Sequence, residues 1–223
     1  MTNKSPQNPK TLQTPDRLIF LIDGVYAITL TLLILDLKLP DDAGISLRSS
    51  LMEILPRLAI YLFAFATIVN HWIIHNRTFH LVNRGNNTLV LLSFVNLLFI
   101  TLIPVSAGIV GSYPFQRLAA MIFTINSLLL CLSAAAIWAY VAANRQLLAE
   151  DSDTRFLKRI SNVWLLVGLG FVAALAAGFV SVFAAYAIWL LWPWGVSMWG
   201  TRRRKERDSK SSEKINSVSK DDG

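Results

Sequence analysis

Asp23, His71 and His75 interrupt long apolar stretches. Asp23 lies in RLIFLIDGVYAITLTLLILDLKLP, from Arg17 to Pro40, and the histidines lie in NHWIIHNRTF, from Asn70 to Phe79. A carboxyl group inside an apolar run is costly without a partner, so Asp23 marks either a functional site or a tie between helices. His71 and His75 are four residues apart and share a helix face. That spacing suits a metal, but two imidazoles leave a zinc site short of ligands even with Asp23 as a third. No metal and no other cofactor is therefore expected. His75, Asn76 and Arg77 are expected instead to hydrogen-bond the inner end of the first helix, Asp23 included. A histidine at that depth could also confer pH sensitivity. Asn96, within SFVNLLFITLIP, is an amide in an apolar run; it needs a partner and is expected to join two helices, one such bond stabilising by roughly 0.6–2 kcal/mol. The single cysteine, Cys131, permits no intrachain disulfide and is expected to pack. The chain has no phosphate loop, paired-cysteine motif or nucleophile elbow, so an enzyme is not expected.

The elements that must hold these groups follow from composition. The 223 residues are 54% hydrophobic and only 16% charged, with a mean hydropathy of +0.48, where a soluble domain carries about 25% charged residues. Leu58–Asn76, Gly85–Gln116, Leu118–Asn144 and Ser161–Thr201 contain no Asp, Glu, Lys or Arg. A single helix over the last stretch would be about 60 Å long, twice the hydrocarbon thickness, so it must turn, most simply near Ala176–Ser181. Leu18 to Leu35 covers roughly 27 Å as a helix, enough to cross a bilayer. The pattern predicts an all-α integral membrane protein with six spans, at about 16–37, 46–76, 88–107, 115–143, 160–177 and 182–199. Residues 1–13 form a polar arm, 14–200 the membrane domain and 201–223 a basic, polar tail. The first apolar run carries Asp23 and lacks a small-residue cleavage pattern, so it is expected to be retained rather than removed as a signal peptide.

The net charge of +7 does not point to nucleic acid, because of where it sits. An inside N-terminus places every basic residue except Lys38, Arg48, Arg57 and Arg117 on the inner side, which predicts both termini in the cytoplasm. The Arg202–Arg207 cluster reads most simply as a solvated stop-transfer charge run, and it would lie against anionic lipid headgroups at about 1 kcal/mol per charge. Trp189, Trp192, Trp194 and Trp199 are expected to form an interfacial belt at the inner end of the sixth span.

Helical angles divide the first span. Ile28, Leu32 and Leu35 fall on one stripe with Thr31 beside them, and Asp23 lies about 140° away from Ile28 at 100° per residue. Such a stripe is compatible with ordinary packing as well as with a pore. The residues Arg17, Asp23 and Ile28, with Asp36 and Pro40 closing the segment, resemble the first helix of the transmembrane protein 175 family, although Leu21 and Ile22 stand where the family has Phe-Ser. Trp72-Ile73-Ile74-His75-Asn76-Arg77 and Asn96-Leu97-Leu98-Phe99 with Pro104 resemble its second and third helices. The resemblance covers roughly residues 15–105. It implies six helices per chain, a homotetramer, and a central pore lined by the first helix. It also implies that Ile28 is the narrowest ring, with Leu32 and Leu35 above it, Thr31 supplying hydroxyls, and a helix-positioning network of Arg17, Asp23, Trp72, His75 and Asn96. Asp36 would stand at the outer mouth.

The expected function is a potassium-preferring cation channel of a prokaryotic inner membrane, with potassium ions, copies of itself and anionic lipids as partners. A proton- or cation-coupled transporter using Asp23 and His75 is the alternative, and a non-conducting membrane scaffold is a third reading.

Overall fold

The computed structural model describes residues 15–37, 46–149 and 154–193. The expectations for the arm 1–13, for Lys38 and Pro40, for Trp194 and Trp199, and for the tail 201–223 lie outside the described residues. Among these residues six α-helices follow one another: α1 Pro15–Leu32, α2 Leu47–Phe79, α3 Asn87–Ser112, α4 Arg117–Ala143, α5 Thr154–Gly178 and α6 Val182–Pro193. The first five are long and apolar enough to cross a membrane; α6, at 182–193, is a shorter apolar helix. No β-strand occurs among the described residues.

The helix ends follow from local chemistry. Ser46 caps α2 by accepting from the Ser49 amide, and Asn86 caps α3 by accepting from the Leu89 amide at 2.9 Å. The Asn86 amide group also donates to the Tyr140 hydroxyl at 2.8 Å, which fastens the start of α3 to the end of α4. α1 tightens after Leu32 into a 3-10 turn, Leu33–Asp36. The long charge-free stretch does turn where its length requires, with the Val180 and Ser181 amides donating to Ala177 O at 3.0 and 2.9 Å. Arg117, at the head of α4, donates to Phe179 O at 2.9 Å and so satisfies a carbonyl of the turn between α5 and α6.

Some boundaries differ from the sequence reading. α5 begins at Thr154, not near 160. Arg155, Lys158 and Arg159 bar that turn from the hydrocarbon but not from helix formation, since Lys and Arg are good helix formers. α3 continues through Gly108 to Ser112, because glycine is tolerated in an apolar helix that neighbours support.

α4 is the hub. It packs against α3 on one side and α5 on the other, and 61% of its most apolar window is buried, against 28% for α1. Small residues make this possible: a Cβ on Gly168 of α5 would sit 3.5 Å from Cys131 Cβ of α4. Trp189, expected at an interface with water, is buried. Its indole donates to Thr124 Oγ1 at 3.2 Å and its ring lies 4.8 Å from that of Phe123. Aromatic partners on α2 and α4 at the right depth draw it into the bundle, which no count of tryptophans along a helix reveals. On the opposite turn side, the α2–α3 and α4–α5 connections pair through an antiparallel bridge between Val82 and Leu148.

Candidate functional site

The first helix has two unlike faces. Leu18, Ile22, Tyr26, Thr29 and Leu33 are buried against α2 and α3. Their spacing of four, four, three and four is that of one helical stripe. The opposite face is bare: Phe20, Leu21, Ile28, Leu32 and Leu35 are exposed, Ile28 to 61% and Leu35 to 60%. Thr31 is exposed on the same side, and its hydroxyl donates to Ile28 O at 2.8 Å. That bond occupies the hydroxyl proton and leaves the oxygen lone pairs free to meet a cation. Among the described residues, nothing beyond its own turn of helix lies within 4 Å of where a Cβ on Gly24 would be. The side chain of Asp36 lies outside the description.

The polar residues sort differently from the reading of the sequence. Asp23 is half-buried and accepts from the Trp72 indole at 2.8 Å. His75, Asn76 and Arg77 do not bond it. His75 is buried among the rings of Phe79, Trp138 and Tyr26, and makes no side-chain hydrogen bond among the described residues. Its position on α2 turns it into the bundle while Trp72, three residues earlier, reaches the rim of α1. His80 donates to Asn76 Oδ1 at 3.2 Å, within the same chain segment. Arg17 and Arg77 are exposed and make no ion pair among the described residues. Asn96 joins α3 to α4, donating to Ser133 Oγ at 2.9 Å and Leu130 O at 3.4 Å. It therefore does the work of a helix tie, between α3 and α4 rather than to α1.

Two groups escaped the sequence reading. Tyr26 is buried and its hydroxyl is hydrogen-bonded to Nδ1 of His71, also buried. A tyrosine one turn beyond Asp23 on an otherwise apolar face was the available signal, since a buried hydroxyl needs a partner. Asn126 makes a second α3–α4 tie, its Nδ2 lying 3.3 Å from both Phe99 O and Ser106 Oγ. The rule that singles out Asn96 applies equally to it. Among the described residues no three His, Cys, Asp or Glu side chains converge as a metal site would require.

Fold and site together define a multi-pass, all-helical membrane protein whose first helix is held on one face by polar bonds and bare on the other. The family model described as the endosomal/lysosomal potassium channel TMEM175 matches residues 17–104, and this segment is a TMEM175-family segment, as the motifs of the first three helices imply. A potassium channel of Chamaesiphon minutus is 28% identical over 172 residues, covering 74% of this chain and 85% of that protein. A potassium channel of Streptomyces collinus is 27% identical over 164 residues, covering 71% and 80%. The endosomal/lysosomal proton channel TMEM175 of Danio rerio is 28% identical over 115 residues, half of this chain but 22% of that protein. In fold, the chain is similar to the crystal structure of a lysosomal potassium-selective channel TMEM175 homolog from Chamaesiphon minutus, with a TM-score of 0.73 at 24% identity over 82% of this chain and 96% of that one.

Proposed function

We propose that the chain is a potassium-preferring cation channel in which four copies bring the bare face of α1 together around an ion path. The observation that carries this reading is the exposure of Ile28, Thr31, Leu32 and Leu35 on the side of α1 opposite its bonded residues. A lone helix in lipid tolerates such a face, but the likeness to potassium channels gives it a use. A ring of four Ile28 side chains is a dry neck, which a hydrated ion crosses poorly and which can gate by dewetting. Potassium sheds water more readily than sodium, so a dehydration barrier favours it. Leu32 and Leu35 would extend the apolar lining, and the Thr31 oxygen would offer a polar foothold between Ile28 and Leu32. Asp36 would concentrate cations at the outer mouth, with Lys38 opposing it. The excess of basic residues on one side supports a reading with both termini in the cytoplasm of a prokaryotic inner membrane, where the tail would lie against anionic lipids. Nothing in this reading calls for enzymatic chemistry.

Reconstituted channels carrying Ile28→Asn or Ile28→Ala test it. A polar or smaller ring is expected to raise conductance and lower the potassium-to-sodium permeability ratio. A conducting protein in which neither substitution alters permeation would remove Ile28 from the constriction.

A second reading, proton movement through Asp23 and His75, gains support from the Danio rerio relative, which is a proton channel. The geometry weighs against it, because Asp23 bonds Trp72 while His75 sits among aromatic rings. A steep pH dependence of flux, abolished by Asp23→Asn in a folded protein, would favour this second reading.

A further inference from the structure

We propose that the buried Tyr26–His71 pair is the rotational stop of the first helix, a positioning pair that sets the direction in which Ile28 points. This inference rests on the reading of α1 as the helix beside the ion path. The apolar contacts of α1 through Leu18, Ile22 and Leu33 are non-directional, and by themselves they allow a helix to roll. The bond from the Tyr26 hydroxyl to His71 Nδ1 is directional. The two rings also stack, with centroids 5.9 Å apart and an interplanar angle of 28°. His71 is in turn wedged against the indole of Trp164 on α5, centroid to centroid 4.6 Å. α1 is thereby referred, through one side chain of α2, to the core of the bundle.

Two features make this stop the firmer of the two polar contacts of α1. The bond between Asp23 and Trp72 lies at a half-exposed edge, where competing hydrogen-bond partners cut its net worth. Tyr26 and His71 are 1% and 2% exposed. The other ring nitrogen of His71, Nε2, is buried with no hydrogen-bond partner among the described residues. Losing the tyrosine hydroxyl would leave both imidazole nitrogens buried without a bond, and this cost opposes any roll that separates the pair. Two residues at 100° each set Ile28 about 160° around the helix from Tyr26. A roll at Tyr26 is therefore delivered in full to Ile28, on the far side.

The test reads the direction of α1 without relying on current. In a Cys131→Ala background, Ile28→Cys and Ala27→Cys are each oxidised in the full-length membrane protein, and the yields of cross-linked copies are compared. Position 28 is expected to cross-link better than 27 in the parent. Tyr26→Phe and His71→Leu are each expected to lower the ratio of 28 to 27 several-fold and to lower the potassium-to-sodium permeability ratio. His71→Asn, which can keep an accepting oxygen near the place of Nδ1, is expected to restore both toward the parent. A folded Tyr26→Phe protein with the parental cross-linking ratio would overturn the proposal. A parent that cross-links through position 28 but carries no current would overturn the channel reading instead, and the cross-linking ratios would still judge the stop.

Discussion

At the scale of residues, the polar side chains of this protein divide into ties and a clamp. Asn96 and Asn126 tie α3 to α4, one through Ser133 and Leu130, the other through Phe99 and Ser106. Asn96→Leu is expected to destabilise the folded protein by about 0.6–2 kcal/mol, the worth of an interhelical hydrogen bond in lipid. The loss should sit at the low end, because Ser133 Oγ retains its bond to Leu130 O at 2.9 Å and is not orphaned. Denaturation of the reconstituted protein measures it. Adding Ser133→Ala should then cost little more, and a full second loss would show that the two side chains act independently. Ion selectivity should hardly move, since the bonds of both residues run within or between α3 and α4 and none among the described residues goes to α1. The clamp is Asp23 with Trp72 and Tyr26 with His71; its residues are three apart on α1 and adjacent on α2, so they grip one patch of each helix.

At the scale of elements, close approach between helices depends on where side chains are missing. A Cβ on Gly170 of α5 would stand 2.0 Å from Trp192 Cδ1 of α6, much closer than atoms can pack. The indole of Trp192 lies over that glycine and donates to Leu166 O at 2.9 Å, a carbonyl one turn earlier on α5. Gly170→Ala is expected to push the ring away and break that bond, destabilising by about 1–3 kcal/mol as overpacking does. Trp192→Ala in the same chain should relieve the clash, so the double variant should be more stable than the sum of the single losses implies. Thermal melts of the four proteins in one detergent provide the cycle. Additive losses would mean that the ring has room elsewhere and that the seam is not set by Gly170. Arg117 illustrates the converse. It is one of the four cations that the charge-asymmetry reading leaves over, and its bond to the α5–α6 turn accounts for it.

At the scale of the whole molecule, one chain leaves the bare face of α1 without a counterpart, and the proposed assembly supplies one from other copies. Gly24 is the sharpest probe, because among the described residues nothing beyond its own turn of helix lies within 4 Å of its missing Cβ. Gly24→Trp should fold as a single chain yet fail to assemble, so native mass spectrometry should find a tetramer in the parent and monomers in the variant. An intact tetramer would place the contact between copies on another face. Much of this plan is set by sequence alone. Charge-free stretches of fixed length dictate membrane helices, because an unpaired charge or backbone group in hydrocarbon costs too much. The same stretches located the turn near Gly178, and the 3.6-residue period placed Asp23 and Ile28 on different faces of α1. Which polar group meets which was decided only in three dimensions. Trp72 and His75 are three residues apart on α2, yet one reaches the rim of α1 and the other enters the aromatic core. Asn96 turned toward α4, and Trp189 left the expected interface for the bundle. These outcomes depend on helix rotation and depth. Rotation and depth are fixed by packing against neighbours distant in sequence, and no local pattern of residues encodes them.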